Sequence, residues 1–272
     1  MSIHSLHEVV SSSGCVYLIG AGPGDPELLT LKAARLIAEA DVLFYDRLVH
    51  PEVIALASET TEKIYVGKQC GEHAVPQERI CALLAAKAKA GNKVVRLKGG
   101  DPFIFGRGGE EADVLAEAGI PFAVVPGVTA ATGCAAYAGV PLTHREASHR
   151  VEFITGRLTN ECDEPNWESL VDREKTLVFY MGLKQLSRLV DRLMNAGRDQ
   201  NTPVALIDRG THEDQSVTVS TLNDVLSVSR TREFVGPTLI VIGDVVGRRQ
   251  SINLDLLTSS KRSFKNEEGK FN

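Results

Sequence analysis

The chain has 272 residues, 43% of them hydrophobic and 24% charged, enough to bury real cores in one large or two ordinary domains. Its net charge of −5 and pI near 5.8 argue against a surface built for unspecific nucleic-acid binding. No apolar stretch has the length of a membrane span or the form of a secretion signal. The five cysteines, Cys15, Cys70, Cys81, Cys134 and Cys162, are odd in number and contain no C-x-x-C pair. That argues against a disulfide framework or thiolate zinc site and for reduced thiols in a cytoplasmic protein.

Residues 1–13 are polar and read as a flexible leader. Val16–Ile19 reads as a strand ending in the glycine loop GAGPGD, and a helix follows over Leu31–Ala40 with Thr30 as its N-cap. Val42–Tyr45 and Lys63–Val66 are strands. Pro76–Ala90 is an alanine-rich helix stopped by Gly91. The strand Lys93–Leu97 runs into a second glycine loop, KGGDPFIFGRGGEE. The helix Glu110–Ala118 stops at Gly119, and the strand Phe122–Val125 enters PGVTA. A helix of small residues, Ala130–Ala138, comes next.

The rhythm then restarts. Val151–Thr155, Thr176–Tyr180, Val204–Asp208, Ser216–Ser220 and Leu239–Ile242 read as strands, and Leu183–Ala196 as a helix closed by Gly197. Gly139–Arg150 is the best linker. Alternating strands and helices predict an α/β protein: two α/β domains with mostly parallel sheets, over 14–143 and 144–250, with 251–272 a flexible tail. The halves show no repeat of sequence.

Three loops carry the chemistry. In Gly20-Ala21-Gly22-Pro23-Gly24-Asp25 the third glycine of a dinucleotide fingerprint is replaced by Asp25. Pro23 also removes an N–H that a phosphate cradle would use. The loop lets a backbone come close to something other than a pyrophosphate, or is a tight strand-to-helix turn, and a nicotinamide-dependent oxidoreductase is disfavoured. The second loop, Arg96–Glu111, combines dense glycine with Phe103 and Phe105, the cations Arg96, Lys98 and Arg107, and the anions Asp101, Glu110 and Glu111 expected to pair with some of them. It follows a strand, where open α/β sheets bind ligands. The third loop, Pro126-Gly127-Val128-Thr129-Ala130, opens the small-residue helix. It is equally well a binding loop or a packed helix start capped by Thr129.

Together the strings VYLIGAGPGDPELLT, ADVLFYDRLV, VVRLKGGDPFIFGRGGEE, VVPGVTAATGCAAYAGVPLTHR, TLVFYMGL, TPVALIDRGT and GPTLIVIGDVV resemble the tetrapyrrole methylase family over about Val16 to Val246. RLKGGDPFIFGRGGEE with PLTHR resembles the branch acting on uroporphyrinogen III. GAGPGDPxLLT alone is shared by relatives acting on other tetrapyrroles, ribosomal RNA or diphthamide precursors.

The resemblance implies S-adenosylmethionine in the cleft between two α/β domains, S-adenosylhomocysteine as its product, a homodimer, and no metal, nucleic acid or membrane partner. Position by position it implies cofactor contacts at Pro23, Gly99, Gly100, Asp101, Ile104, Phe105, Thr129, Ala130, Met181, Ala205, Pro237 and Thr238. The implied substrate is ringed with acetate and propionate arms, which guanidinium forks suit. Arg47, Arg145 and Met181 are its expected contacts. Arg107 is expected to orient the ring and stabilise charge, with Glu110 holding it or taking a proton. The implied reaction is two successive methyl transfers to pyrrole carbons, at carbons 2 and 7, giving precorrin-1 and then precorrin-2.

Overall fold

A computed structural model describes residues 14–67, 75–157 and 164–258. The expected leader, the tail beyond residue 258, and Cys70 and Cys162 lie outside the described residues.

The first half builds an all-parallel sheet in the order β3-β2-β4-β1-β5. Its strands are β1 (Cys15–Gly20), β2 (Val42–Tyr45), β3 (Glu62–Tyr65), β4 (Lys93–Lys98) and β5 (Phe122–Val125). Helices α1 (Leu31–Ala38), α2 (Pro51–Ala55), α3 (Gln77–Lys89) and α4 (Gly108–Glu117) cover it. Alternation along β4 sorts its side chains. Val95 and Leu97 join the core under α1 and α2, and Val94 joins the core under α3 and α4. Arg96 and Lys98 share Val94's face by the same period of two, and both are buried. Glu111 meets them there from α4 with no exposed surface. Its Oε1 accepts from Lys98 Nζ at 2.9 Å, Arg96 Nε at 3.3 Å and Gln77 Nε2 of α3 at 2.9 Å. Glu111 and Leu115, one turn apart, are thus the sheet-facing stripe of α4.

The second half forms a sheet in the order β6-β7-β10-β8-β9. Its strands are β6 (Arg150–Thr155), β7 (Lys175–Tyr180), β8 (Pro203–Asp208), β9 (Ser216–Thr221) and β10 (Thr238–Ile242). On one face lie α6 (Leu186–Ala196) and α7 (Val225–Arg230). Leu186, Leu189, Val190 and Leu193 form the buried stripe of α6, and Gly197, at φ 106°, ends it in the left-handed conformation that glycine tolerates best. On the other face lies α5 (Ala130–Tyr137), the small-residue helix. Ala131 and Cys134 pack among Val178, Ala205, Ile207, Leu239 and Val241. Burial pushes the Cys134 thiol up to about 12, so it is inert packing.

Among the described residues the expectation of mostly parallel strands holds over the two sheets together, with five of eight pairings parallel. It does not hold for the second sheet alone, where β10 is antiparallel to β7 and β8, and β8 to β9. The connection from Asp208 to Ser216 is too short for a crossover helix, so β9 turns back on β8. The expected helix Leu183–Ala196 begins as a 3-10 turn, Leu183–Gln185. The tail carries a short helix α8 (Asp255–Thr258). No helix among the described residues is long and apolar enough to cross a membrane.

Candidate functional site

The three glycine loops meet at the carboxyl end of the first sheet, backbone against backbone. Gly22 and Gly100 exchange hydrogen bonds of 3.2 and 2.7 Å. A Cβ on Gly127 would sit 2.3 Å from Gly100 O and 2.8 Å from Gly20 Cα. No side chain fits between these loops, and this is what their glycines are for. Asp101 ties the second loop to the third, because Oδ2 accepts from Gly127 N–H at 3.0 Å and Oδ1 from Phe103 N–H at 2.9 Å. The sequence suggested that Asp101 would pair with a nearby cation. It pairs with backbone donors instead, whereas Glu110 and Glu111 do pair with cations.

The second sheet brings its own strand ends to the same place. Pro23 packs on Gly133 of α5, where a Cβ would lie 2.6 Å from the proline ring. Asp25 N–H donates to Thr211 Oγ1 at 3.1 Å, and Tyr137 donates to Asp25 Oδ2 at 2.7 Å. His212 lies over Gly24, and its ring is 6.0 Å from that of His50 at the start of α2. Tyr180, at the end of β7, reaches the first residues of α5. The five non-glycine residues with positive φ among the described residues are Phe105, Arg107, Met181, Arg209 and Thr211. All belong to loops around this junction. Each such conformation costs roughly 1–3 kcal/mol, and such strain clusters at functional sites.

Phe105 and Met181 leave 41% and 51% of their surface exposed at the junction. Arg107 and Glu110 form a two-pronged ion pair of 2.9 and 2.7 Å on an exposed rim. Each stabilises the other's charge: the Glu110 carboxylate is held below its ordinary range and the guanidinium above its own, chiefly by their mutual hydrogen bond. Arg47 is exposed beside the second loop, since Gly99 packs against its neighbour Leu48. Gly100 faces Thr129 and Ala130 across the junction, and Gly99 and Ile104 belong to the same second loop, Gly99 against Leu48 and Ile104 N–H donating to Asp101 O at 3.3 Å. Pro237 and Thr238 adjoin the junction through Arg209 N–H, which donates to Pro237 O at 3.1 Å, and through Thr238 Oγ1, which donates to Asp208 Oδ1 at 2.7 Å.

Two expected site residues are not brought in. Ala205 has no exposed surface and lies under α5, and the chain beyond β8 meets the first loop through Thr211 and His212, which lie against Gly24. Arg145 sits in the turn before β6, at the amino ends of β6 and β7. There Ser148 Oγ and His149 N–H donate to Glu174 O at 2.8 and 3.1 Å. The chain crosses the second sheet along α5 and emerges at the edge opposite Tyr180, which leaves Arg145 outside this junction.

Sequence reading missed Asp46, Tyr180, Thr211 and His212. Asp46 ends β2 with Oδ1 accepting from Leu48 N–H at 3.1 Å and Oδ2 3.5 Å from Arg96, a partly exposed carboxylate at the rim. Its position directly after a strand, beside Arg47, was the available signal.

His212 makes one consequence measurable. Burial, then Arg209 and His50, lower its pKa below 6.5, against the smaller opposing pull of Asp214 and Asp25. A folded-state value below the unfolded one means that the unfolded chain binds the extra proton. Stability therefore falls as the pH drops below about 6.5 toward the folded value. His212→Gln is expected to flatten the slope of urea-unfolding free energy between pH 7 and pH 5. An unchanged slope would exclude His212 as its source.

Three comparisons bear on descent. Residues 15–226 match the family model for tetrapyrrole (corrin/porphyrin) methylases. A siroheme synthase of Saccharophagus degradans is 52% identical over 244 residues, covering 90% of this chain and 53% of that protein. One from Acinetobacter baylyi is 52% identical over 252 residues, covering 93% and 55%. The chain thus spans about half the length of the curated relatives it matches. Among solved structures, a uroporphyrin III C-methyltransferase of Thermus thermophilus, also solved with S-adenosyl homocysteine, is 43% identical with a TM-score of 0.73. It covers 86% of this chain and all of that one. A cobalt precorrin-4 methyltransferase is 28% identical with a TM-score of 0.75 over 85% of this chain and 95% of its own. With the family match spanning most of the chain, and two glycine-built loop contacts explaining its motifs, the protein belongs to the tetrapyrrole methylases.

Proposed function

We propose that this chain transfers methyl groups from S-adenosylmethionine to carbons 2 and 7 of uroporphyrinogen III, giving precorrin-1, then precorrin-2, and S-adenosylhomocysteine. Its product would feed sirohaem, cobalamin or haem d-type synthesis. In this reading the protein works as a homodimer, and its two α/β units divide near residue 143. The observation that carries it is the closed contact of Gly20, Gly100 and Gly127, with the exposed Phe105 and the Arg107–Glu110 pair on the second of these loops and Met181 next to Tyr180, which bonds the third.

The residues fit the cofactor. A Cβ on Gly100 would meet Ala130 N and Thr129 Cα at 3.8 and 3.9 Å, so backbone of the second and third loops faces across a methyl-wide gap, and this reading puts the cofactor slot there. Pro23, Gly99, Gly100, Asp101, Ile104, Phe105, Thr129, Ala130, Met181, Pro237 and Thr238 would hold it. When bound, S-adenosylmethionine supplies an electrophilic methyl group on a cationic sulfur. Phe105 and Met181 exclude water around such a cation, and the fixed loops align the reacting atoms, which is the larger part of catalysis of this kind. Arg107 and Arg47 would read the carboxylate arms of the substrate. Glu110 aims the Arg107 fork, and its lowered pKa makes it a weak proton acceptor.

Arg107→Lys tests the assignment, because lysine keeps the charge and loses the planar fork. The expected result is a fall in kcat/KM for uroporphyrinogen III of about ten- to a hundredfold, the worth of one or two charge-assisted hydrogen bonds. Steady-state rates at saturating methyl donor read it. An unchanged kcat/KM would remove Arg107 from the substrate site.

A further inference from the structure

We infer that Tyr180 is the positioning residue that sets the geometry of the cofactor slot, acting from the second sheet on both loops that form it. The inference rests on the function proposed above. Alternation along β7 buries Leu177 and Phe179 against α6, so Thr176, Val178 and Tyr180 face α5. Tyr180 is the last residue of the strand, and its ring therefore lies over the start of that helix. The hydroxyl accepts from Ala131 N–H at 2.9 Å and is 2.6 Å from Thr129 Oγ1.

These contacts replace an ordinary cap. Thr129 occupies the N-cap position of α5, yet its side chain makes no bond to its own helix. A helix start leaves N–H groups unpaired, and an external acceptor is one way to satisfy them. Here the acceptor is a phenol from the opposite sheet. Having accepted from Ala131, the hydroxyl has its own proton to give to Thr129 Oγ1. Burial raises the Tyr180 pKa above its ordinary value and keeps the phenol neutral, as that donor role needs.

The same ring supports the second loop. Phe105, held at φ 51°, packs on Tyr180 with ring centroids 5.0 Å apart. Phe153 backs the tyrosine from β6 at 6.0 Å. The next residue along the chain is Met181, at φ 56° and half exposed. One side chain thus touches Phe105 and Thr129, fixes the backbone beside Ala130, and is joined by a single peptide bond to Met181. These four are expected cofactor contacts drawn from three separate segments. Tyr180 is itself only partly buried, and in this account it acts through them.

The test separates the hydroxyl from the ring. Tyr180→Phe keeps the ring and its packing on Phe105, and removes only the bonds to Ala131 and Thr129. The expected result is about a tenfold weaker dissociation constant for S-adenosylhomocysteine by calorimetric titration. The KM for S-adenosylmethionine should rise in step, with kcat at saturation changing less than twofold. Thr129→Val breaks the same bond from the other side, so adding it to Tyr180→Phe is expected to weaken binding by much less than the product of the two single effects. An unchanged dissociation constant in Tyr180→Phe, whether or not the melting temperature falls, would mean a purely structural tyrosine and overturn the inference. So would fully multiplicative effects in the double variant. Wild-type protein that fails to bind S-adenosylhomocysteine would overturn both this inference and the function beneath it.

Discussion

Glu111→Ala is expected to cost about 3–5 kcal/mol of folding stability, because it strands Lys98 and takes a partner from Arg96, both almost wholly buried. Lys98 and Arg96 point at this carboxylate from the central strand, with side chains 4% and 5% exposed. Arg96 keeps Leu97 O at 2.7 Å and a longer contact to Asp46. Lys98 keeps nothing comparable among the described residues. Desolvation already lowers the Lys98 pKa, with Arg96 adding to it, while Glu111 pulls the other way. Without Glu111 the folded-state value drops further below 10.5, and the unfolded chain then binds the extra proton over a wider range. The stability lost at neutral pH should therefore be partly regained as the pH rises through that lowered value toward 10.5. Urea unfolding at pH 7 and pH 9.5 reads both effects. A loss below 1 kcal/mol at pH 7 would mean that the network contributes little. Glu111 Oε2 has no partner, so Glu111→Gln, which keeps an acceptor for Gln77 and Lys98, should fall between the wild type and the alanine variant.

Gly127→Ala is expected to damage the site as well as the fold. The new methyl group would meet Gly100 O at 2.3 Å and the Gly20 backbone at 2.8 Å. Neither is a flexible side chain, so relief comes only by moving the three loops apart. Overpacking of this kind costs roughly 1–3 kcal/mol. The displaced loops would also open the slot between Gly100 and Ala130. Binding of S-adenosylhomocysteine should weaken by at least about tenfold, since one misplaced contact of 1.4 kcal/mol gives that factor. Gly109→Ala is the internal control for glycine replacement, because a Cβ there meets nothing within 4 Å and the residue lies inside α4. That variant should gain up to about 1 kcal/mol from helix propensity. Wild-type ligand affinity in Gly127→Ala would show that the loop contact is not needed for the slot.

Local sequence signals carried the first sheet well. Each of its strands is a short apolar run between a turn and an amphipathic helix, and the observed strands follow those runs to within a residue or two. Thr30 caps α1 as read, with Oγ1 accepting from Ala33 N–H at 3.2 Å. The short helix α2 was not read, although His50 and Pro51 mark its start. Strand direction in the second sheet was not legible from apolar runs, because a strand buried on both faces has the same pattern in either direction. The one local cue was the short Asp208-to-Ser216 connection.

The candidate site divides in the same way. Loop composition pointed to the glycine contacts, and the spacing of Arg107 and Glu110 across one helical turn gave their ion pair. What depends on tertiary packing stayed hidden. Glu111 was expected to pair with a cation and does, but its burial against the sheet, a step of 100° around α4 from the exposed Glu110, was not read. One of the two readings of the third loop made Thr129 a helix cap, yet its side chain meets Tyr180, 51 residues on. Ala205 and Arg145 entered the expected site with the resemblance, and in this single chain the depth of β8 and the direction of α5 set them apart from the loop junction.

The central claim is methyl transfer to uroporphyrinogen III, and one experiment addresses it directly. Purified protein is incubated without oxygen with uroporphyrinogen III and methyl-labelled S-adenosylmethionine, and the products are read by mass and absorbance. The account predicts two added methyl groups and an isobacteriochlorin-type spectrum after oxidation. Binding of S-adenosylhomocysteine with no methyl transfer to uroporphyrinogen III would contradict it and move the substrate to another member of the family.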